Sequence, residues 1–165
     1  MNPTKAKSKN ESTRRKFIKK SSLMIAGGAV ASQLSVARSA HAAFNSDEIK
    51  IGLVGCGGRG TGAANQAMNT EGKTKLVAVA DAFDDRLQGC LRGLQREHKD
   101  KLDVPKERQF TGFEGYKGVL ASDCDIVILA TPPGFRPLHL EAAVEAGKHV
   151  FMEKPVAVDA AGVQR

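Results

Sequence analysis

The sequence predicts a doubly wound α/β fold, in which a parallel sheet is covered by helices on both faces. Three observations carry that expectation. Short apolar runs rich in branched residues recur at 49–54, 76–80, 125–130 and 149–152. Between them lie segments with helical spacing of apolar positions, so strand and helix alternate along the chain. The strand runs are continuously apolar rather than alternating, as strands buried on both faces are. With right-handed crossovers, the five strands are expected in the order 3-2-1-4-5.

The first strand feeds a glycine turn. Residues 49–62 read IKIGLVGCGGRGTG, placing Gly55, Gly57 and Gly60 in a G-x-G-x-x-G pattern between an apolar strand and the helix former AANQAM at 63–68. In a dinucleotide site Gly55 allows the tight turn. Gly57, with Gly58 beside it, lets backbone N–H groups approach a pyrophosphate. Gly60 lets the helix pack against the strand, while the helix N-terminus offers free N–H groups to the phosphates. Alone the pattern is weak, but here it has its context. The second strand, 76–80, ends in Asp81, 21 residues after Gly60, where an acid accepts hydrogen bonds from the adenosine ribose. The bland alternative is a surface aspartate. An acid there repels a 2′-phosphate, and Arg86, the nearest base, is placed beyond the turn by helix periodicity. NAD is therefore favoured over NADP.

Further along, Glu71-Gly72-Lys73 marks the stop before the second strand. Asp84 is expected to cap a helix reaching about Glu97, with Leu87, Cys90, Leu91 and Leu94 on one face. Residues 98–109 read as a polar, solvated loop containing Pro105. A short third strand follows around Phe110, then a brief helix marked by Tyr116, Val119 and Leu120. The strand at 125–130 runs into Thr131-Pro132-Pro133-Gly134. A helix over about 137–146 stops at Gly147, and the last strand, 149–152, ends in Glu153-Lys154-Pro155.

Residues 1–42 belong to a different kind of sequence. Ser12-Thr13-Arg14-Arg15-Lys16-Phe17-Ile18-Lys19-Lys20 is a twin-arginine pattern. A modest apolar stretch follows over 23–37, and Ala40-His41-Ala42 supplies an A-x-A cleavage site. This reads as a bacterial export signal leading to the periplasm or beyond. The apolar stretch is too short and glycine-diluted for the ~20 residues of a membrane span, so no stable anchor is expected. The leader also accounts for the charge. The chain is +7 overall, but nine of its 25 Lys/Arg and only one of its 18 Asp/Glu lie in 1–42, leaving 16 basic and 17 acidic residues in 43–165. Nucleic-acid binding is thereby excluded as the meaning of the basicity. The cysteines at 56, 90 and 124 show no metal-ligand spacing and read as packed small residues rather than reactive thiols. The histidines pair with no cysteine or carboxylate at ligand spacing, so no metal is expected.

The segments GLVGCGGRG, VAVAD, DIVILATPP and EAGKHVFMEKPVAVD resemble, in order and spacing, the N-terminal Rossmann domain of the glucose-fructose oxidoreductase/inositol dehydrogenase/rhizopine catabolism (Gfo/Idh/MocA) family, over essentially all of 47–165. The EAGKHV…EKP run is its specific part. The resemblance implies that Gly55, Gly57, Gly58 and Gly60 cradle the pyrophosphate and that Asp81 holds the ribose. It implies that Thr131 and Pro132 line the nicotinamide side. Glu153, Lys154 and Pro155 match the E-K-P motif, in which the lysine stands between nicotinamide and substrate and assists proton transfer, and the proline often follows a cis bond. Lys154 is the catalytic candidate; its bland alternative is a surface lysine at a strand end. Arg59 either reaches the cofactor phosphates or faces solvent. His139 is either near the substrate or on a helix surface.

What the resemblance further implies is hydride transfer with a sugar or cyclitol, or transient oxidation by an NAD-dependent glycosidase of the same fold. Family members carry a C-terminal α+β domain that supplies substrate contacts and the oligomer face. This sequence reads as lacking it, which leaves oligomerisation doubtful, predicts exposed apolar surface, and keeps a non-catalytic cofactor-binding fragment as an alternative.

Overall fold

The computed structural model describes residues 48–165, so the export-signal reading of 1–42 lies outside the described residues. The described residues 48–165 fall in one compact unit. Its elements are β1 (Glu48–Val54), α1 (Gly58–Met68), β2 (Lys73–Asp81), α2 (Asp84–Glu97), β3 (Gln109–Thr111), α3 (Gly115–Ala121), β4 (Ile126–Leu129), α4 (Arg136–Glu145), β5 (His149–Met152) and α5 (Ala160–Gln164). The five strands are parallel in the order β3-β2-β1-β4-β5, as the sequence predicts. Each element from β1 to β5 falls within a few residues of its expected place.

Apolar runs divide between two cores because strand side chains alternate faces. Leu53, Leu76, Val79 and Ile128 join Ala63, Ala64 and Met68 of α1 and Leu87, Cys90, Leu91 and Leu94 of α2. Val54, Ala78, Ala80, Val127 and Leu129 join Tyr116, Val119 and Leu120 of α3 and Ala143 of α4. One position breaks the alternation. The β1–β2 register steps from Ile51↔Leu76 to Gly52↔Ala78, so Val77 is an extra residue and shares a face with Ala78. Gly52 opposite this bulge has its own constraint. A Cβ there would lie 2.6 Å from Val119 Cγ1, so the glycine lets α3 settle on β1.

Two local expectations are corrected. Asp84 does not cap α2. Phe83 holds the cap position, its N–H donates to Asp81 Oδ1 at 3.0 Å, and Asp84 is the first helical residue. With Asp85 it places negative charge in the first turn, where the helix dipole favours it. Nor is 98–109 simply a solvated loop. Leu102 makes a parallel bridge with Leu76, Leu102 and Val104 pack on the core, and His98 is buried with its Nε2 against Asn65 Oδ1. Most of its charged residues face water, but Lys101 donates to Met68 O at 2.5 Å, and Leu102 and Val104 fix its path.

The three cysteines are buried and free, as expected of packed small residues. Contact with Cys90 and burial push the Cys56 thiol well above its ordinary range. Apolar side chains are exposed along the β5 side: Phe151 on the edge strand itself, with Val144, Val156, Val158 and Val163. Among the described residues no helix is long and apolar enough to cross a membrane.

Candidate functional site

At the carboxyl ends of the strands lies a cavity of about 470 Å³, within the range of small-molecule sites. Its walls include Gly55, Gly57, Gly58, Arg59 and Gly60 after β1, Asp81 after β2, Phe113 after β3, and Thr131 and Pro132 after β4. His139 of α4 also lines it. This is the crevice where open α/β sheets take ligands, because β1 sends its crossover to one side and β4 to the other.

The glycines are required for different reasons. Gly55 has φ of +98°, and a Cβ on it would come within 2.8 Å of the Ala130–Thr131 backbone. Gly60 lies so close to the turn that a Cβ would stand 1.7 Å from Gly55 O. Gly57 and Gly58 are different, since a Cβ on either meets no protein atom within 4 Å. Nothing in the chain forbids side chains there, and the space they leave open faces the cavity at the start of α1. No side chain caps α1, and its first turn holds no acid. Its leading N–H groups and dipole are thus left for an anion. A dinucleotide pyrophosphate fits this arrangement of bare backbone and helix terminus.

Asp81 does more than line the cavity. Its Oδ2 accepts from Cys56 N at 2.6 Å and its Oδ1 from Phe83 N at 3.0 Å, so the carboxylate ties the glycine turn to the end of β2. The remaining lone pairs are free to accept hydroxyl hydrogen bonds. Arg86 is the base that sequence periodicity placed beyond the turn. It lines the same cavity. The reason is directional: Arg86 lies in the first turn of α2, and helical side chains lean toward the N-terminus, here toward the cavity.

Arg59 lines the cavity, half exposed, and is also tied to a carboxylate. Its Nε donates to Glu153 Oε1 at 2.7 Å, joining the glycine turn to the end of β5. That hydrogen bond holds the Glu153 carboxyl, 6% exposed, below the usual carboxylate range. Glu153, Lys154 and Pro155 are not in the cavity wall itself. Glu153 reaches it through Arg59. Lys154 is exposed at the carboxyl end of β5 with no hydrogen bond or ion pair among the described residues, and the Lys154–Pro155 bond is cis.

His139 is 5% exposed, which removes the helix-surface alternative. Its ring is 4.4 Å from the Tyr116 ring and stacks at 6.2 Å on Phe135, and its Nδ1 lies 3.1 Å from Thr131 Oγ1. Burial lowers its pKa from the ordinary value of 6.5, with Glu114 pulling the other way. The unfolded chain therefore binds this proton more tightly than the folded one, and stability rises with pH across the interval between the two values. The contribution is complete above pH 6.5 and is lost as pH falls below it. Thermal melts at about pH 7.5 and about pH 5.5, above and below the ordinary histidine value, should show a drop in Tm on acidification that His139→Gln reduces. An equal drop in both proteins would place the titrating group elsewhere.

Sequence reasoning missed an aromatic and cationic part of the wall. Phe113 and Phe135 stack at 5.8 Å, both substantially exposed, and Arg136 is buried beside them. Phe113 lies two residues after β3, so position at a strand's carboxyl end was an available signal. Arg136 carried none, because its partners come from two separate loops. Among the described residues no cluster of His, Cys, Asp or Glu could hold a metal ion.

Comparison with known proteins agrees with this geometry. The family model described as "Oxidoreductase family, NAD-binding Rossmann fold" matches residues 49–165. A glycosyl hydrolase family 109 protein from Shewanella baltica is 33% identical over 115 residues, covering 68% of this chain and 24% of that protein. A crystal structure of scyllo-inositol dehydrogenase from Lactobacillus casei with NAD(H) and scyllo-inositol is similar with a TM-score of 0.53 and 28% identity, over 71% of this chain and 31% of that one. A crystal structure of the WlbA dehydrogenase from Bordetella pertussis with NADH and UDP-GlcNAcA gives a TM-score of 0.55 and 26% identity, over 72% and 31%. A mutant 3-ketoreductase from Actinomadura kijaniata, crystallised with TDP-benzene and NADP, gives a TM-score of 0.52 and 26% identity, over 72% and 33%. The chain thus spans about a quarter to a third of the length of these relatives. Glycine turn, terminal acid, strand order and family match coincide, and the chain belongs to the Gfo/Idh/MocA oxidoreductase family through its NAD-binding Rossmann domain.

Proposed function

We propose that this chain is the NAD(H)-binding part of an exported oxidoreductase acting on a sugar or cyclitol. The observation that carries the cofactor reading is the open space at Gly57 and Gly58 over the uncapped start of α1, beside a carboxylate at the end of β2. When bound, NAD(H) supplies a hydride acceptor or donor at the nicotinamide ring. The chain's residues would hold it: the turn at the pyrophosphate, Asp81 at the ribose, Thr131 and Pro132 on the nicotinamide side. Lys154, without a hydrogen-bond or ion-pair partner among the described residues, would take or give the hydroxyl proton of the reacting carbon. Asp81 favours NAD(H) over NADP(H), while Arg86 is the residue that would favour the phosphate. The twin-arginine leader supports export as a folded, cofactor-loaded protein to the periplasm.

A second reading, an NAD-dependent glycosidase that oxidises its sugar transiently and reduces it again, is favoured by the family 109 names of the curated relatives. Release of sugar without net NADH would support it over a dehydrogenase.

The test is a titration of the full chain with NADH and NADPH, followed by nicotinamide fluorescence, with Gly57→Ala beside the wild type. Saturable NADH binding is expected, tighter than NADPH and about 10-fold weaker in Gly57→Ala, a loss of about 1.4 kcal/mol. No binding by a folded wild-type chain would remove the cofactor reading. Tighter binding of NADPH would transfer the role at the ribose from Asp81 to Arg86.

A further inference from the structure

Arg136, the first residue of α4, is 6% exposed, and no carboxylate among the described residues hydrogen-bonds to it. Its bonds go to backbone carbonyls instead. Nε donates to Thr131 O at 2.7 Å, and Nη1 donates to Glu153 O at 2.6 Å and to Pro155 O at 2.5 Å. A buried cation is costly even when well bonded, and an apolar side chain of similar volume often serves stability as well or better. The cost therefore calls for a role other than packing.

The three carbonyls indicate it. Thr131 follows the strand whose loop lines the cavity, and Glu153 and Pro155 flank Lys154 on either side. One planar guanidinium thus ties the β4 loop to the β5 loop at the residues on either side of the candidate proton-transfer lysine. A lysine could not do the same, because a single ammonium lacks the rigid fork. Asp81 and the glycine turn are held by other bonds: Asp81 to Cys56 N and Phe83 N, and Gly55 N to Ala80 O. The adenosine half of the cavity is therefore built without Arg136.

We propose that Arg136 is a positioning residue, whose guanidinium sets the Thr131 and Glu153–Pro155 backbones, and hence Lys154, against the nicotinamide half of the site. This rests on the dinucleotide reading given above. A residue that merely stabilised the fold would affect both halves of the ligand alike. A positioning residue affects only the half its loops touch.

The experiment compares NADH with ADP-ribose, which lacks the nicotinamide, on the full chain as wild type, Arg136→Gln and Arg136→Lys. Folding is checked by circular dichroism. In both variants the Kd for NADH should rise about 10-fold, the scale of one lost charge-assisted hydrogen bond. The Kd for ADP-ribose should stay within about twofold of wild type, and bound NADH should show altered nicotinamide fluorescence. Equal losses for both ligands, or no loss for either, would overturn the proposal while leaving the dinucleotide site in place. Unfolding of both variants would assign Arg136 to the fold and overturn it as well. Failure of the wild type to bind ADP-ribose would overturn the dinucleotide reading itself, and the proposal with it.

Discussion

Gly60→Ala should destroy the cooperative unfolding transition of this domain or lower its stability by about 3 kcal/mol or more, at the upper end of overpacking effects. The added Cβ would lie 1.7 Å from Gly55 O and 2.9 Å from Gly55 C. These are backbone atoms, so no rotamer change relieves the clash. Gly55 cannot retreat, because it is already pressed against the Ala130–Thr131 backbone and its N–H donates to Ala80 O at 2.8 Å. Helix α1 must lift instead, and it carries Ala63, Ala64 and Met68 out of the core. Against a total stability of ~5–15 kcal/mol, that is a large fraction. Gly57→Ala is the contrast, with a Cβ that meets nothing. Its stability should stay within about 0.5 kcal/mol of wild type. Urea unfolding of the two variants measures the difference directly. A wild-type midpoint for Gly60→Ala would mean that α1 stands further from the turn than the structure places it.

Asp81→Ala should weaken both the fold and the site. It leaves the N–H groups of Cys56 and Phe83 without their acceptors. Bonds to a charged group contribute about 1.5–3 kcal/mol each, and partial exposure lets water replace some of that, so a loss of about 2–4 kcal/mol is expected. Asp81→Asn retains one carbonyl oxygen and should recover roughly half of it. Both variants should lose NADH affinity by about 10-fold or more, since the ribose acceptor is gone or halved. Because stability and affinity fall together in the alanine variant, the asparagine variant, titrated well below its melting temperature, is the one that isolates the ligand contact. Full NADH affinity in a folded Asp81→Asn chain would remove Asp81 from the ribose role.

Several features of the site are legible in the sequence. The glycine turn, the acid closing β2 and the Thr131-Pro132 and E-K-P segments sit at strand ends, and strand ends follow from apolar runs bounded by glycine and proline. The relation between Arg59 and Glu153 was not legible. They are 94 residues apart, and they meet only because β5 lies beside β4, next to β1. His139 was ambiguous for a similar reason. Helical spacing gives a residue a face but does not say what covers that face. Tyr116 of α3 and Phe135 provide the cover, so the imidazole is buried and kept neutral near pH 7. Arg86 was placed wrongly because periodicity specifies rotation about a helix and ignores the lean of its first-turn side chains toward the N-terminus.

By itself the sequence determined the fold class, the strand order and the identity of the turn, since these depend on short-range periodicity, backbone freedom at glycine and the fixed hand of parallel crossovers. Tertiary structure alone decided the bulge at Val77, the burial of His139, the two-residue anchoring of 98–109, and the carbonyl clamp of Arg136. Each of those is set where separately folded segments meet, and the energy of such a meeting depends on distances between loops that no local pattern in the chain encodes.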